Sequence, residues 1–322
     1  MCIVYVVERG NGMVISVKGL VKRYENYVAL DHLDLEVKEG EIYGILGPVG
    51  SGKSTLIHCM LSLVTYDKGS IKLFDEAMSP TQEALKRKIG VCFQEEAFFE
   101  TLSVFDNLYY FTNLYLKDKE KTEEAVHKVL RFLEMEDRRK MMPSRLDDGN
   151  RKLLDLACGM AHMPKLLIID GGIGNVEPKI KNKIFEKIRE LKRRGTTILY
   201  TTHSIEEAEE ICDRIAIMDK GKILTQGTKE ELKKSISLGE RSRIRVYHLT
   251  SEHLNQIRVI PGIFYVSYDQ GILTVKSKKG RNNLIHILQY FQKNEIALGE
   301  IISELPTLED VFWEITGKTF YQ

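Results

Sequence analysis

Gly47-Pro48-Val49-Gly50-Ser51-Gly52-Lys53-Ser54-Thr55 is the stretch on which the fold of this 322-residue chain turns. It matches G-x-x-x-x-G-K-[ST], a loop whose backbone N–H groups converge on phosphate oxygens. Its flanks supply the context that the motif requires. Glu41-Ile42-Tyr43-Gly44-Ile45-Leu46 reads as a short buried strand, and residues 55–61 read as the start of a helix. The helix N-terminus adds partial positive charge where phosphates would sit. In this frame Gly47, Gly50, Ser51, Gly52 and Thr55 shape the cradle. Lys53 reaches the β- and γ-phosphates, and Ser54 sets its hydroxyl on Mg²⁺. A glycine-rich turn without a ligand is the competing reading, and the strand–loop–helix order argues against it.

Composition narrows the partners. A formal net charge of +1, from 47 basic and 46 acidic residues, offers no electrostatic case for nucleic acid. No apolar run approaches the ~20 residues of a membrane span, so any membrane role is expected to come through a partner. The five cysteines (Cys2, Cys59, Cys92, Cys158 and Cys212) show no C-x-x-C pairing and read as reduced cytosolic thiols. Residues 1–12 lack a basic leader and a cleavage site, which speaks against a signal peptide. They are expected to reflect a mis-assigned start ahead of Met13, with an extra edge strand as the other reading. Sequencing the native N-terminus tests this.

From Met13 the pattern alternates strands with helices. Strands are expected at 14–17, 33–37, 71–74, 89–93, 166–169 and 197–201, with a hairpin at 214–225 through Lys220-Gly221. Residues 101–139 read as mostly helical. Val126, Val129, Leu130 and Leu133 mark one buried face. Further helices are expected at 153–161, 178–194 and 205–212. This is the pattern of an α/β nucleotide-binding core, assigned to 13–235 with a helical subdomain at about 98–163. The character then changes. Residues 236–322 read as a smaller α+β domain in the order β-α-β-β-α-β, the ferredoxin-like arrangement. A last helix opens at Thr307-Leu308-Glu309-Asp310, buries Leu308, Val311, Phe312 and Ile315, and stops at Gly317.

Residues 14–228 resemble the ATP-binding subunits of ABC transporters, with several motifs in the family's order. The resemblance implies ATP and Mg²⁺ as cofactors. It implies that Tyr24, with Tyr27 as runner-up, stacks on adenine. It implies that Gln94 reaches toward Mg²⁺ and the attacking water. Asp170, which ends Leu166-Leu167-Ile168-Ile169-Asp170, would support Mg²⁺, and His203 would contact the γ-phosphate. The ending Leu305-Pro306-Thr307-Leu308-Glu309-Asp310-Val311-Phe312, with Thr316-Gly317, resembles subunits serving drug, antibiotic and peptide exporters. Such subunits pair with a separate integral membrane subunit and with a second nucleotide-binding subunit. They sit in the cytoplasm, peripheral to the inner face of the cell membrane. Residues 95–111, with Phe98 and Phe99 expected to be exposed, would dock on the membrane partner.

Three departures set this chain apart from the family pattern. The signature LSGGQ is replaced by Leu146-Asp147-Asp148-Gly149-Asn150. In the family that serine and those glycines grip the γ-phosphate held by the opposite subunit. A like-charge contact at ~4 Å costs about 1 kcal/mol in water and about 4 kcal/mol at an effective dielectric of 20. Asp147 remains a good helix N-cap, so the helix should survive without its phosphate grip. The residue after Asp170 is Gly171, where the family's general base is glutamate. Losing a positioned base typically costs about 10²–10⁴-fold in rate. The loop that follows reads Gly174-Asn175-Val176-Glu177 in place of S-G-L-D, and Glu177 lies too far along the chain to substitute.

The leading expectation is therefore an ATP-binding exporter subunit with impaired hydrolysis. A stand-alone regulatory ATP-binding module is the second reading, and an ATPase whose water is activated by another group is the third. A neighbouring gene encoding a multi-span membrane protein separates the first two, and single-turnover kinetics separates the third.

Overall fold

A computed structural model describes residues 12–174, 176–279 and 283–320. The expected leader, except Gly12, and Asn175 of the loop after Asp170 lie outside the described residues. The chain divides into two compact units between Gln226 and Gly227. The boundary expected from the sequence, after Ser235, lies further along the chain.

The first unit opens with a hairpin of β1 (Met13–Tyr24) and β2 (Tyr27–Lys38), followed by β3 (Ile42–Leu46) and α1 (Lys53–Met60). Next come β4 (Lys68–Leu73), β5 (Glu76–Ala77), α2 (Glu83–Lys86) and β6 (Ile89–Cys92). Three helices follow: α3 (Val104–Leu116), α4 (Lys119–Leu133) and α5 (Asp148–Met160). The unit ends with β7 (Leu166–Ile169), α6 (Pro178–Arg193), β8 (Thr197–Thr202), α7 (Ile205–Ile211), β9 (Arg214–Asp219) and β10 (Lys222–Gly227).

β1 and β2 are each far longer than the short runs expected from sequence. Bulges shift the register between them, which breaks strict alternation and hides the strand in the sequence. In β2, Leu33, Leu35 and Val37 still alternate inward against Asp34, Glu36 and Lys38. This hairpin joins β4 and β5 in a four-stranded antiparallel sheet.

The second sheet has the order β10-β9-β3-β8-β7-β6. β9, β3, β8, β7 and β6 run parallel to their neighbours. β3, β7 and β8 are buried along their whole lengths, as parallel strands covered on both faces must be. Because these strands run parallel, their C-terminal ends lie along one edge, where doubly wound sheets place ligands.

Between β6 and β7 the chain is helical, and α3, α4 and α5 pack on one another. α4 buries Val126, Val129, Leu130 and Leu133 at the expected helical spacing. α5 starts at Asp148, earlier than the expected 153, because Asp147 caps it. Phe98 corrects a sequence expectation. It is buried, lying 4.9 Å from the Arg151 guanidinium, which also pairs with Glu96 and Glu100. Phe99 is exposed as expected.

The second unit comprises α8 (Lys229–Ser235), β11 (Leu238–Val246), α9 (Ser251–Arg258), β12 (Ile263–Asp269), β13 (Ile272–Lys278), α10 (Asn283–Lys293), β14 (Leu298–Glu304) and α11 (Leu308–Thr316). From β11 to β14 the order is β-α-β-β-α-β, in one antiparallel sheet ordered β12-β13-β11-β14. Ile244, Val246, Leu273 and Val275 form its core with Ile257 of α9 and with Ile287 and Phe291 of α10. α11 opens with a capping box between Thr307 and Asp310 and stops at Gly317 in the left-handed conformation. It buries Leu308, Val311 and Phe312. Ile315, expected inside, shares that face but is exposed, lying in the helix's last turn just before its stop at Gly317.

Candidate nucleotide site

The loop between β3 and α1 is held from both sides before any ligand arrives. The Gly47 N–H donates to the Thr202 carbonyl at the end of β8 (3.2 Å), and the Gly221 N–H donates to the Ser51 carbonyl (2.8 Å). Gly52, at the N-cap of α1, has φ 107°, a left-handed conformation open to glycine. The Lys53 ammonium donates to the carbonyls of Gly47 (2.7 Å) and Pro48 (2.9 Å) and to Ser51 Oγ (3.2 Å). Burial pushes the Lys53 pKa down to about 8, while the nearby Asp170 carboxylate opposes the shift. A half-desolvated ammonium at the N-terminus of α1 is a site built for anion charge.

A cavity of about 270 Å³ opens over this loop. Gly50, Gly52, Lys53, Ser54 and Thr55 line it from below, and Gln94, Asp170 and His203 line it from the neighbouring strand ends. The three strands β6, β7 and β8 are adjacent in the sheet, so residues from distant parts of the chain converge there. Two of the expected cradle residues do not face the cavity. Gly47 and Ser51 hold the loop and Lys53 instead. Tyr24 is exposed, under Lys22 Nζ at 4.7 Å, and lies outside the lining. Tyr27 lines the cavity and donates to the Gly50 carbonyl (3.3 Å).

Asp170 is buried, and its Oδ1 accepts from the Thr201 hydroxyl at 2.6 Å. That leaves a carboxylate, the Ser54 hydroxyl and the Gln94 amide around one cavity. Among the described residues no cluster of three or more His, Cys, Asp or Glu forms a metal cage. One carboxylate plus a hydroxyl suits Mg²⁺, which keeps waters and takes phosphate oxygens in preference to a closed protein shell.

Past Asp170 the backbone turns left-handed at Gly171 (φ 87°) and Gly172 (φ 73°). A Cβ at Gly172 would meet Glu207 Oε2 at 2.3 Å. Glu207 is buried. It accepts from the Tyr200 and Thr202 hydroxyls (both 2.8 Å) and pairs with Lys181 (2.8 Å). Burial, with Glu207 alongside, pushes the Tyr200 phenol well up, so it stays a donor. Sequence reading missed this group. The signal was Tyr200-Thr201-Thr202, three hydroxyls at the end of a fully buried strand, each of which must find an acceptor.

At the start of α5, Asp147 caps the helix through the Asn150 N–H (2.8 Å) and also accepts from the Asn150 side-chain amide (2.7 Å). The backbone bond from Asn150 holds the Asp147 carboxyl below its usual range. Asp147 and Asp148 are exposed, and Gly149 is buried against Ile180.

A site of this build has known counterparts. Residues 30–173 match the family model described as "ABC transporter". The linearmycin resistance ATP-binding protein of Bacillus subtilis is 27% identical over 95% of this chain and 99% of its own length. The daunorubicin/doxorubicin resistance ATP-binding protein of Streptomyces peucetius is 33% identical over 69% of this chain and 67% of its own length. A nucleotide-free ATP-binding cassette from an ABC transporter is 26% identical and superposes with a TM-score of 0.62, covering 69% of this chain and 94% of that one. The phosphate loop, the strand-end residues around it and these relatives all agree, and the chain belongs to the ABC transporter family as one of its ATP-binding proteins.

Proposed function

We propose that this chain binds Mg-ATP on its phosphate loop as the ATP-binding subunit of an exporter, with hydrolysis impaired. The observation that carries the impairment is Gly171. It occupies the position after Asp170 in a left-handed conformation that L side chains rarely adopt. No carboxylate other than Asp170 lines the cavity among the described residues. Asp170 is taken up by the Thr201 hydroxyl and by its Mg²⁺ role, so no free base stands beside the attacking water.

The residues have the following parts in this reading. Lys53 leaves its backbone carbonyls for phosphate oxygens. Ser54, Gln94 and Asp170 hold Mg²⁺, which supplies charge neutralisation at the phosphates. His203 faces the terminal phosphate. Tyr24 or Tyr27 stacks on the adenine, and the place of Tyr27 on the cavity wall favours the latter. The exporter reading rests on relatives whose names specify drug resistance or Nod factor export. No described helix is long and apolar enough to cross a membrane, and the proposal assigns the crossing to a separate membrane subunit. A second nucleotide-binding subunit pairs with this one, and the assembly sits at the inner face of the cell membrane. The exposed Asp147 and Asp148 would face the ATP of that second subunit and weaken its grip.

Steady-state Mg-ATP hydrolysis by the purified chain, beside a Lys53→Ala control and with ATP binding measured in parallel, tests the proposal. Tight binding with turnover near the control supports it. Robust Lys53-dependent turnover refutes the impairment.

A further inference from the structure

The turn that carries His203 is gripped on both sides. In front, the Thr202 carbonyl accepts from Gly47 of the phosphate loop. Behind, the Thr202 hydroxyl accepts from the Ser204 N–H (3.0 Å) and donates to Glu207 (2.8 Å). The Glu207 N–H in turn donates to Ser204 Oγ (3.2 Å), capping α7. Both neighbours of His203 are therefore bonded to Glu207, while His203 itself stays exposed toward the cavity. Glu207 does not hold its own position alone. Tyr200 binds its Oε2, and Lys181, one turn into α6, binds its Oε1. Phe185, one turn further along α6, lies 5.9 Å from Lys181 Nζ and packs edge-on against Tyr200.

We propose that Glu207 is the positioning residue for His203, and that Lys181 and Tyr200 set it, forming a buried relay from α6 to the terminal-phosphate contact. The inference rests on the reading that His203 faces the terminal phosphate. A buried carboxylate with three donors has one favoured placement, because any other leaves a charge or a hydroxyl unpaired. That rigidity passes to the turn through Thr202 and Ser204. Gly172 is part of the same device. A side chain there would displace the Glu207 carboxylate, so the glycine is required by the relay as well as by its backbone angle. The relay predicts a specific defect. Loosening it blurs the distinction between ATP and ADP, which differ only in the phosphate His203 reads, and leaves the rest of the nucleotide contacts alone.

The test is calorimetric titration of the full-length chain with Mg-ATP and with Mg-ADP. The variants are His203→Ala, Lys181→Met, Lys181→Arg and Tyr200→Phe, each checked for its melting transition. His203→Ala should lower the preference for ATP over ADP by roughly ten- to a hundredfold, the weight of one hydrogen bond to a charged group, and Lys181→Met should lower it in the same direction. ADP affinity should stay unchanged, and Lys181→Arg should restore the preference. Tyr200→Phe removes one hydrogen bond without leaving a charge unpaired, and it decides the matter with a smaller loss if Lys181→Met does not fold. A lowered preference in His203→Ala alongside an unchanged one in Lys181→Met or Tyr200→Phe overturns the relay only. An unchanged preference in His203→Ala overturns the reading of His203 and the relay with it.

Discussion

A Cβ placed on Gly171 would lie 3.0 Å from Cγ of Gln94, and the backbone at Gly171 has φ 87°. The position after Asp170, where the proposed impairment resides, is thus both left-handed and pressed against Gln94. The loop is shaped for glycine, so restoring the carboxylate by one substitution is opposed by the backbone.

Gly171→Glu is expected to lower folding stability by about 1–2 kcal/mol, the cost of holding an L side chain in a left-handed conformation. It is also expected to leave turnover slow, because the new carboxylate crowds Gln94. Urea melts and steady-state hydrolysis check both parts.

Asp147→Ser with Asp148→Gly rebuilds the serine and glycine of the signature. Serine caps as well as aspartate, so the main stability cost is the glycine in the first helical turn, about 1 kcal/mol. Mg-ATP-dependent self-association should rise, because the charge repelling an opposite phosphate is gone. Sedimentation velocity with and without nucleotide measures this, with Lys53→Ala as the control.

Lys53 gives nucleotide binding a pH signature. Its folded pKa, without phosphate, is about 8 against an ordinary 10.5. Between those values the unfolded chain binds more protons than the folded one. Stability of the free protein therefore rises with pH across that window. Phosphate charge favours the ammonium, so ATP binding should take up a proton above about pH 8, and affinity should fall as pH rises. Calorimetry in buffers of different ionisation enthalpy reads the proton uptake directly.

His162 predicts an acid weakness. Its ring stacks on Tyr115 with centroids 3.7 Å apart, and burial pushes its pKa from 6.5 down to about 4. The folded state disfavours the imidazolium, so the contribution is intact above pH 6.5 and is lost as pH falls from there toward 4. Thermal melts across that range should show a slope that His162→Phe removes.

Arg151→Ala should release residues 95–100 from α5. Arg151 joins Glu96 and Glu100 and covers Phe98, so the variant loses exposed ion pairs and some packing, about 1 kcal/mol in sum. Hydrogen exchange in that segment should speed up while α5 keeps its protection. Unchanged exchange would show that Phe98 is held down by other contacts.

Most of the site was legible in the sequence because its parts are local. A phosphate loop needs its glycines, lysine and serine consecutively, between a strand and a helix. Asp170 closes a strand that is apolar throughout, His203 follows one that is buried throughout, and Thr307 with Asp310 announces a capping box within one turn. The β-α-β-β-α-β order of the second unit was also readable, since each element carries its own period. What failed in the reading was orientation. Phe98 looked exposed because its neighbours are charged, yet one of the distant charges, Arg151, covers it. The two candidate tyrosines also differ in placement, Tyr27 on the cavity wall and the exposed Tyr24 outside its lining, a difference no local pattern shows.

The sequence by itself determined the family and the phosphate loop, because both rest on contiguous patterns whose chemistry depends on neighbours along the chain. Only the tertiary structure decided the handedness at Gly171 and Gly172, the place of Tyr27 on the cavity wall and the burial of Glu207 among Tyr200, Thr202 and Lys181. Those depend on which strand ends and helix faces the parallel sheet brings side by side, and no local pattern encodes that juxtaposition.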